Sequence, residues 1–331
     1  MPPTAQPDGT ITVVVPVLDE EENLPQLATE LRDVAAEHDL QIEVIIVDDG
    51  STDDTWAVIS ELAEADARFS GIRFRRNFGK AAALQAGFSA ARGSIIVTMD
   101  GDLQDDPREV PKLIAKLEEG YGTVSGWKRR RYDPWHKVGP SRVFNFVVGW
   151  LTGVRLHDVN CGLKCYRRAA VEEVALYGEL HRFIPVLAEA KGFTAAEVEI
   201  AHRPRVHGVS KFGAKRFIRG FLDLLTVKFL TGYGTRPLHL LGGVGLGACA
   251  LGGAGVTYLA ILWLAGVRPI GDRPLLSFSI MAVLLGAQMI AMGFLAELLT
   301  AYHIRRDPSY SIGECAPRRF AQRDGEQLPP V

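Results

Sequence analysis

Three short apolar runs punctuate the first hundred positions. Ile11–Val17 reads ITVVVPV, Ile42–Val47 reads IEVIIV and Ser94–Met99 reads SIIVTM. They are continuous rather than alternating and rich in β-branched residues, the pattern of parallel strands buried on both faces. Between the first two, Leu24, Leu27, Leu31 and Val34 recur at helical spacing within Asn23–His38. Between the second and third, Asp53–Ala67 and Lys80–Arg92 are helical in pattern, with Thr52, Asp53 and Asn77 as helix-start residues. Strand and helix in this order predict a doubly wound α/β sheet, whose ligands bind beyond the carboxyl ends of the strands.

The pattern changes near residue 240. Leu240–Leu264 and Leu275–Ala296 contain no charged residue, and each is long enough to cross a bilayer, which takes about 20 apolar residues. The link Ala265–Pro274 carries Pro269, Gly271 and Pro274 and turns the chain back. Lys211, Lys215, Arg216, Arg219, Lys228 and Arg236 precede the first span, and Arg305, Arg306, Arg318 and Arg319 follow the second. Only Arg268 and Arg273 lie in the link, so the positive-inside rule puts both flanks in the cytoplasm. Met1–Thr10 lacks the apolar core of a signal peptide. In Lys211–Leu230, phenylalanines and leucines interleave with lysines and arginines, the pattern of a helix lying in the headgroup layer. The expected organisation is a polar tail (1–10), a cytoplasmic α/β domain (11–210), an amphipathic interfacial segment (211–235), two spans (236–304; about 240–264 and 275–299) and a cytoplasmic tail (305–331). This describes a multi-pass protein of the cell (inner or plasma) membrane. Gly243 and Gly247 form a GxxxG, with Gly242, Gly245 and Gly252 nearby. These permit close helix contact within the pair of spans or between subunits of a homo-oligomer, and also fit the simple tolerance of glycine in a span.

Composition narrows the classes. Of 331 residues, 47% are hydrophobic and 23% charged, which excludes a largely disordered chain. The net charge of -2 gives no case for a nucleic-acid partner. Four cysteines are too few for a disulfide scaffold. His157, Cys161 and Cys165 have a loose H-x3-C-x3-C spacing, but a structural zinc site needs four ligands, so the two cysteines read as small buried hydrophobes.

The strand ends are acidic. The first run leads into Asp19–Glu22, the second into Asp48-Asp49-Gly50-Ser51, the third into Asp100-Gly101-Asp102-Leu103-Gln104-Asp105-Asp106. Carboxylates gathered at one sheet edge repel unless a cation joins them, and these oxygens are hard ligands suited to Mg²⁺ or Mn²⁺ carrying a diphosphate. A dinucleotide fold fits poorly, with LDEEEN where GxGxxG belongs. A Walker A loop fits poorly too, with Phe74 and Ala81 around Gly79-Lys80.

In this order, VPVLDEEEN, VDDGSTDDT, RNFGKAAALQAG, DGDLQDDP, DVNCGLKCYRR and HRPRVHGVSKF resemble family-two glycosyltransferases. The chain resembles the branch that loads a sugar onto a polyprenyl phosphate, which includes dolichol-phosphate mannose synthases and bacterial bactoprenol glucosyltransferases with two C-terminal spans. It covers roughly residues 11–305. The resemblance implies a GT-A nucleotide-sugar-binding domain with C-terminal membrane-spanning helices, a nucleotide-sugar donor (UDP-sugar ahead of GDP-mannose), a polyprenyl phosphate acceptor and a divalent metal. It implies that Pro16 and Glu20 contact base and ribose, that Asp49, with Asp48 beside it, contacts the nucleotide, and that Gly79 and Lys80 line its pocket. Asp100, Asp102 and Gln104 match the metal and diphosphate site, Asp158 an acid near the reacting sugar, and Arg203, Ser210 and Lys211 a basic block over substrate phosphates. The chain departs from the family at Leu18-Asp19, where Tyr-Asn is frequent, and at Val159-Asn160-Cys161, a variable patch.

The acceptor chemistry also follows from the residues. A lipid phosphate has a second pKa near ~6, so it needs no strong base, only cations to bring it to an anionic diphosphate. Lys128–Arg131, Lys137 and Arg142 form one basic run, and Arg203, Arg205 and Lys211 another; Arg130, Arg142 and Arg205 are the candidates for the lipid phosphate. A solvated loop, or a patch held to anionic lipid, is the alternative for Lys128–Arg131, and Trp127 and Trp135 suggest a membrane interface. The expected reaction is an inverting displacement in which Asp158 orients the phosphate or a sugar hydroxyl, or acts as base. A helix cap or an ion pair with Arg155 is the structural alternative for Asp158. A processive polysaccharide synthase would show a Q-x-x-R-W block and more spans. A non-catalytic nucleotide-sugar-binding module would lack the carboxylates of Asp100 and Asp102.

Overall fold

The structure is a computed structural model that describes residues 9–129, 135–201, 203, 215–233, 236–267, 269 and 271–304. The chain divides into two compact units, Met1–Val227 and Lys228–Val331.

The first unit is built on a seven-stranded sheet: β1 (Ile11–Val17), β2 (Ile42–Asp48), β3 (Phe69–Arg73), β4 (Ile95–Thr98), β5 (Thr123–Trp127), β6 (Lys164–Arg167) and β7 (Ala195–Glu199), in the order β3-β2-β1-β4-β6-β5-β7. The three apolar runs are the central parallel strands β1, β2 and β4. β6 runs antiparallel to both β4 and β5, which departs from an all-parallel sheet. Helices cover both faces, as continuous apolar strands require. On one face α1 (Leu24–Glu37), α2 (Thr55–Ala65) and α4 (Val110–Glu118) send Leu24, Leu31, Ile59 and Leu113 against Val13, Val15 and Val17. On the other, α3 (Lys80–Ala90), α6 (Arg168–Glu172) and α7 (Ile184–Ala190) bury Leu84, Phe88, Val171 and Ile184 with Val14 and Ile45. A third cluster joins α5 (Trp135–Thr152) to α8 (Lys215–Tyr233) through Val148, Leu224 and Val227.

α3 begins at Lys80, where its pattern places it, with Gly79 at φ 94° and not Asn77 as the capping residue. The N–H groups of Phe78 and Gly79, just before it, are taken by the Asp49 carboxylate.

The second unit holds α9 (Pro237–Leu264) and α10 (Pro274–Ile304). Both are long and apolar enough to cross a membrane, over Pro237–Leu264 and Pro274–Thr300. Small residues set their packing. A methyl group at Gly245 would stand 2.7 Å from the Gly286 carbonyl oxygen, and one at Gly252 2.5 Å from that of Ser279. The GxxxG pair itself is not in this contact, since space is open at Gly243 and Gly247. Glu297 of α10 accepts a hydrogen bond from the Leu238 N–H at 3.2 Å, satisfying a donor in the first turn of α9.

Candidate functional site

The carboxyl ends of β1, β2 and β4 converge on one edge, and the loops that leave them are stitched together. Asp19, held at φ 57°, donates its N–H to Ser51 Oγ (3.0 Å) and accepts the Thr52 N–H (2.9 Å). Glu20 donates its N–H to Thr55 Oγ1 at 2.9 Å and accepts from the Asn23 amide, and Glu21 accepts the Asp54 N–H at 2.7 Å. Buried Asp48 accepts the Ser51 N–H (2.8 Å) and lies 3.4 Å from Arg73 Nε. Asp49 binds the N–H groups of Phe78 and Gly79 at 2.7 and 3.0 Å. Gly50, at φ 80°, lets the β2 loop meet the segment before α3, because a Cβ there would lie 2.5 Å from the Arg76 carbonyl carbon. Pro16 is half-buried on β1, and Gly50, Ser51, Arg73, Phe74 and Arg75 line a depression beside this edge.

Asp19, Glu21, Asp48 and Asp49 thus accept N–H groups from neighbouring loops, and Asp48 also faces Arg73 of β3. The third cluster divides. Asp105 is fully buried with Lys128 Nζ 2.7 Å away, and Asp106 pairs with Arg108 and Arg203, both at 2.8 Å. Burial alone would raise the Asp106 carboxyl, but its bonds to Arg108 and Arg203 hold it below the usual range.

Asp100 and Asp102 stand apart from that framework. Asp100 pairs with Lys80, and the two side chains are 35% and 34% exposed. Desolvation disfavours the Asp100 anion, yet the Lys80 ammonium outweighs it and keeps the carboxyl low. Asp102 accepts the Gln104 N–H at 3.2 Å across Leu103, which is held at φ 60° with its side chain buried. Gly162, before β6, abuts Asp100, because a Cβ there would lie 2.6 Å from Oδ2. The oxygen donors of Asp100, Asp102 and Gln104 fit a hard divalent cation. Among the described residues no three His, Cys, Asp or Glu side chains are grouped to hold an ion.

Beyond β4, Asp158 is buried and donates its N–H to Glu197 Oε1 of β7 at 3.0 Å; the same carboxylate binds His157 N and Nδ1 at 2.8 and 2.9 Å. Exposed His157 also stacks on half-buried Trp127, with centroids 4.3 Å apart. Cys161 and Cys165 are buried free thiols; burial pushes both upward, Cys165 to about 12.

Several members of the basic runs have partners within the fold. Lys128 is the internal partner of Asp105, only 14% exposed, and Arg129 pairs with Glu199 at 3.3 Å. The guanidinium of Arg203 is held between Glu30 (2.7 Å) and Asp106 (2.8 Å). Arg130, Arg205, Ser210 and Lys211 lie outside the described residues; Arg142 belongs to α5, its side chain outside them.

Two side chains near Asp100 were not singled out from the sequence. Lys164, at the start of β6, is 3% exposed, and burial pushes its ammonium down to about 8. His181 lies in the single turn Leu180–Phe183; burial first, then Lys80, Arg182 and Lys164, push its imidazole down to about 2. The one available signal was a lysine between Leu163 and Cys165 in an apolar run.

A parallel α/β core with acids at its carboxyl edge and one reversed strand is the GT-A type of nucleotide-sugar fold. Residues 12–175 match the family described as Glycosyl transferase family 2. A dodecaprenyl-phosphate galacturonate synthase of Rhizobium johnstonii is 38% identical over 309 residues, covering 91% of each chain. An undecaprenyl-phosphate 4-deoxy-4-formamido-L-arabinose transferase of Pseudomonas aeruginosa is 34% identical over 319 residues, covering 96% of this chain and 91% of that one. The chain therefore belongs to glycosyl transferase family 2 and is a glycosyltransferase. A glucosyl-3-phosphoglycerate synthase of Mycobacterium tuberculosis, solved with Mn²⁺, uridine diphosphate and phosphoglyceric acid, shares the fold at 21% identity (TM-score 0.51), over 67% of this chain and 78% of that one.

Proposed function

We infer that the protein transfers one sugar from a nucleotide-sugar to a membrane polyprenyl phosphate, with inversion, for modification of a cell-envelope glycan. The observation that carries this reading is the full-length similarity to two enzymes named for a polyprenyl phosphate and a single sugar, spanning the α/β unit and the apolar helices alike. A UDP-sugar is the favoured donor, with GDP-mannose the other candidate. Two apolar helices make a poor polymer channel, which disfavours a processive synthase. The α/β unit lies on the cytoplasmic face, where nucleotide-sugars are made, in keeping with the basic flanks of the helices.

In this reading the nucleoside occupies the edge of β1 and β2, near Pro16 and Glu20, in a pocket whose frame Asp48, Asp49 and Gly79 fix. Asp100, Asp102 and Gln104 would hold Mg²⁺ or Mn²⁺, which when bound supplies positive charge to the leaving diphosphate. Lys80 adds a second cation there. A lipid phosphate oxygen attacks the anomeric carbon, the bond from that carbon to the diphosphate breaks, and its electron pair leaves with the nucleoside diphosphate. The phosphate is already ionised, so Asp158 orients the reacting groups, and a cationic cluster including Arg130, Arg142 and Arg205 steers the acceptor. Ser210, Lys211 and Arg203 complete the basic block on the donor side. The test is to incubate membranes containing the protein with labelled UDP- and GDP-sugars and undecaprenyl phosphate. One donor should yield a lipid-soluble labelled monosaccharide phosphate; label in a long polymer would favour the processive reading.

A further inference from the structure

Lys164 joins two segments distant in sequence. Its Nζ donates to the Val159 carbonyl at 3.0 Å and to the Arg182 carbonyl at 3.3 Å. The first acceptor directly follows Asp158, and the second directly follows His181. A buried ammonium has to be hydrogen-bonded, so the lysine fixes both segments at once. Two residues before it, Gly162 lies against Asp100. His181 in turn is near enough to the Asp100–Lys80 pair to sense both charges.

The Nδ1 atom of His181 is buried with no hydrogen-bond partner among the described residues. A buried polar atom left open beside a reaction centre calls for a ligand that supplies the missing bond. Sheet order indicates which part of the substrate that is. β4, which leads into Asp100, lies between β1 on one side and β6 on the other. The nucleoside frame belongs to β1 and β2, whereas Lys164 on β6 and the segments it holds lie on the far side of the diphosphate position. What extends to that side is the sugar.

We propose that His181, held by the Lys164 bridge, hydrogen-bonds a hydroxyl of the transferred sugar and helps determine which sugar is accepted. The proposal rests on the nucleotide-sugar reading above. An imidazole nitrogen can accept from a hydroxyl or donate to one according to its tautomer, so a glutamine can reproduce part of the contact.

The experiment is calorimetry on the full-length protein in detergent with Mg²⁺. UDP-galacturonic acid, UDP-glucose and GDP-mannose are titrated first, and the tightest is compared with its own nucleoside diphosphate. For His181→Ala, affinity for the nucleotide-sugar should fall about tenfold while that for the diphosphate stays within about twofold. His181→Gln should recover part of the loss. Lys164→Met, which frees the turn, should show the same sugar-selective loss. Unchanged sugar-nucleotide binding in His181→Ala, or equal loss of both ligands in His181→Ala and His181→Gln, overturns the proposal. If the wild-type protein binds none of the sugar-nucleotides, the functional reading itself fails and the proposal with it.

Discussion

Gly162 shows how closely single residues are fitted around the reaction centre. Its missing Cβ leaves room for Asp100, whose Oδ2 would otherwise lie 2.6 Å away. Gly162→Ala should displace that carboxylate from Lys80 and from the metal position. Transfer should fall at least tenfold, while the melting temperature drops by only a few degrees; activity near wild type would show that Asp100 is not held where the chemistry needs it. DGDLQDDP points to Asp100 and Asp102, because carboxylates at a strand end suit a hard cation. Which acids are tied to distant parts of the fold was not legible. Asp48, Asp49, Asp105 and Asp106 are equally acidic in sequence, but folding commits them to Ser51, Gly79, Lys128 and Arg203. Those partners lie up to about a hundred positions away and are invisible to local pattern. The same holds for Lys128, which sits in a basic run and is consumed by one buried aspartate.

At the scale of elements, the buried central strands announced themselves and the sheet margin did not. β1, β2 and β4 are mostly apolar runs rich in β-branched residues and followed by acids, and the helices α1, α2 and α3 that connect β1, β2, β3 and β4 carry helical spacing. β3, β5, β6 and β7 are only four or five residues long, and polar residues interrupt them. Their pairing depends on tertiary contact more than on local preference. The start of α3 at Lys80 was legible, but the distant Asp49 carboxylate that binds the N–H groups just before it was not. Gly50 makes that junction feasible. Gly50→Ala would place a Cβ 2.5 Å from the Arg76 backbone in a left-handed conformation (φ 80°). It should destabilise the α/β unit by more than ~1 kcal/mol, read as a lower denaturation midpoint, and weaken nucleotide binding in step. Unaltered stability together with unaltered binding would count against the β2 loop as part of the nucleotide frame.

For the whole molecule, the two apolar helices were legible because a bilayer imposes length and apolarity directly on sequence. Their mutual packing was less so: Gly245, Gly252 and Gly286 make the close approach, not the GxxxG pair Gly243 and Gly247. The proposed topology makes a sidedness prediction. In sealed cells, a cysteine replacing exposed Glu37 on α1 should resist an impermeant thiol reagent, and one replacing Gly271 between α9 and α10 should react. The reverse pattern would place the α/β unit away from its nucleotide-sugars. The central claim is that the lipid phosphate is the acceptor. Its most direct test is transfer by the purified protein in liposomes, with matched polyprenyl phosphate and polyprenol as alternative acceptors. The account predicts labelled lipid only with the phosphate, with one nucleoside diphosphate released per sugar and loss of transfer in Asp102→Asn. Equal labelling of the polyprenol, or undiminished transfer in Asp102→Asn, would contradict it.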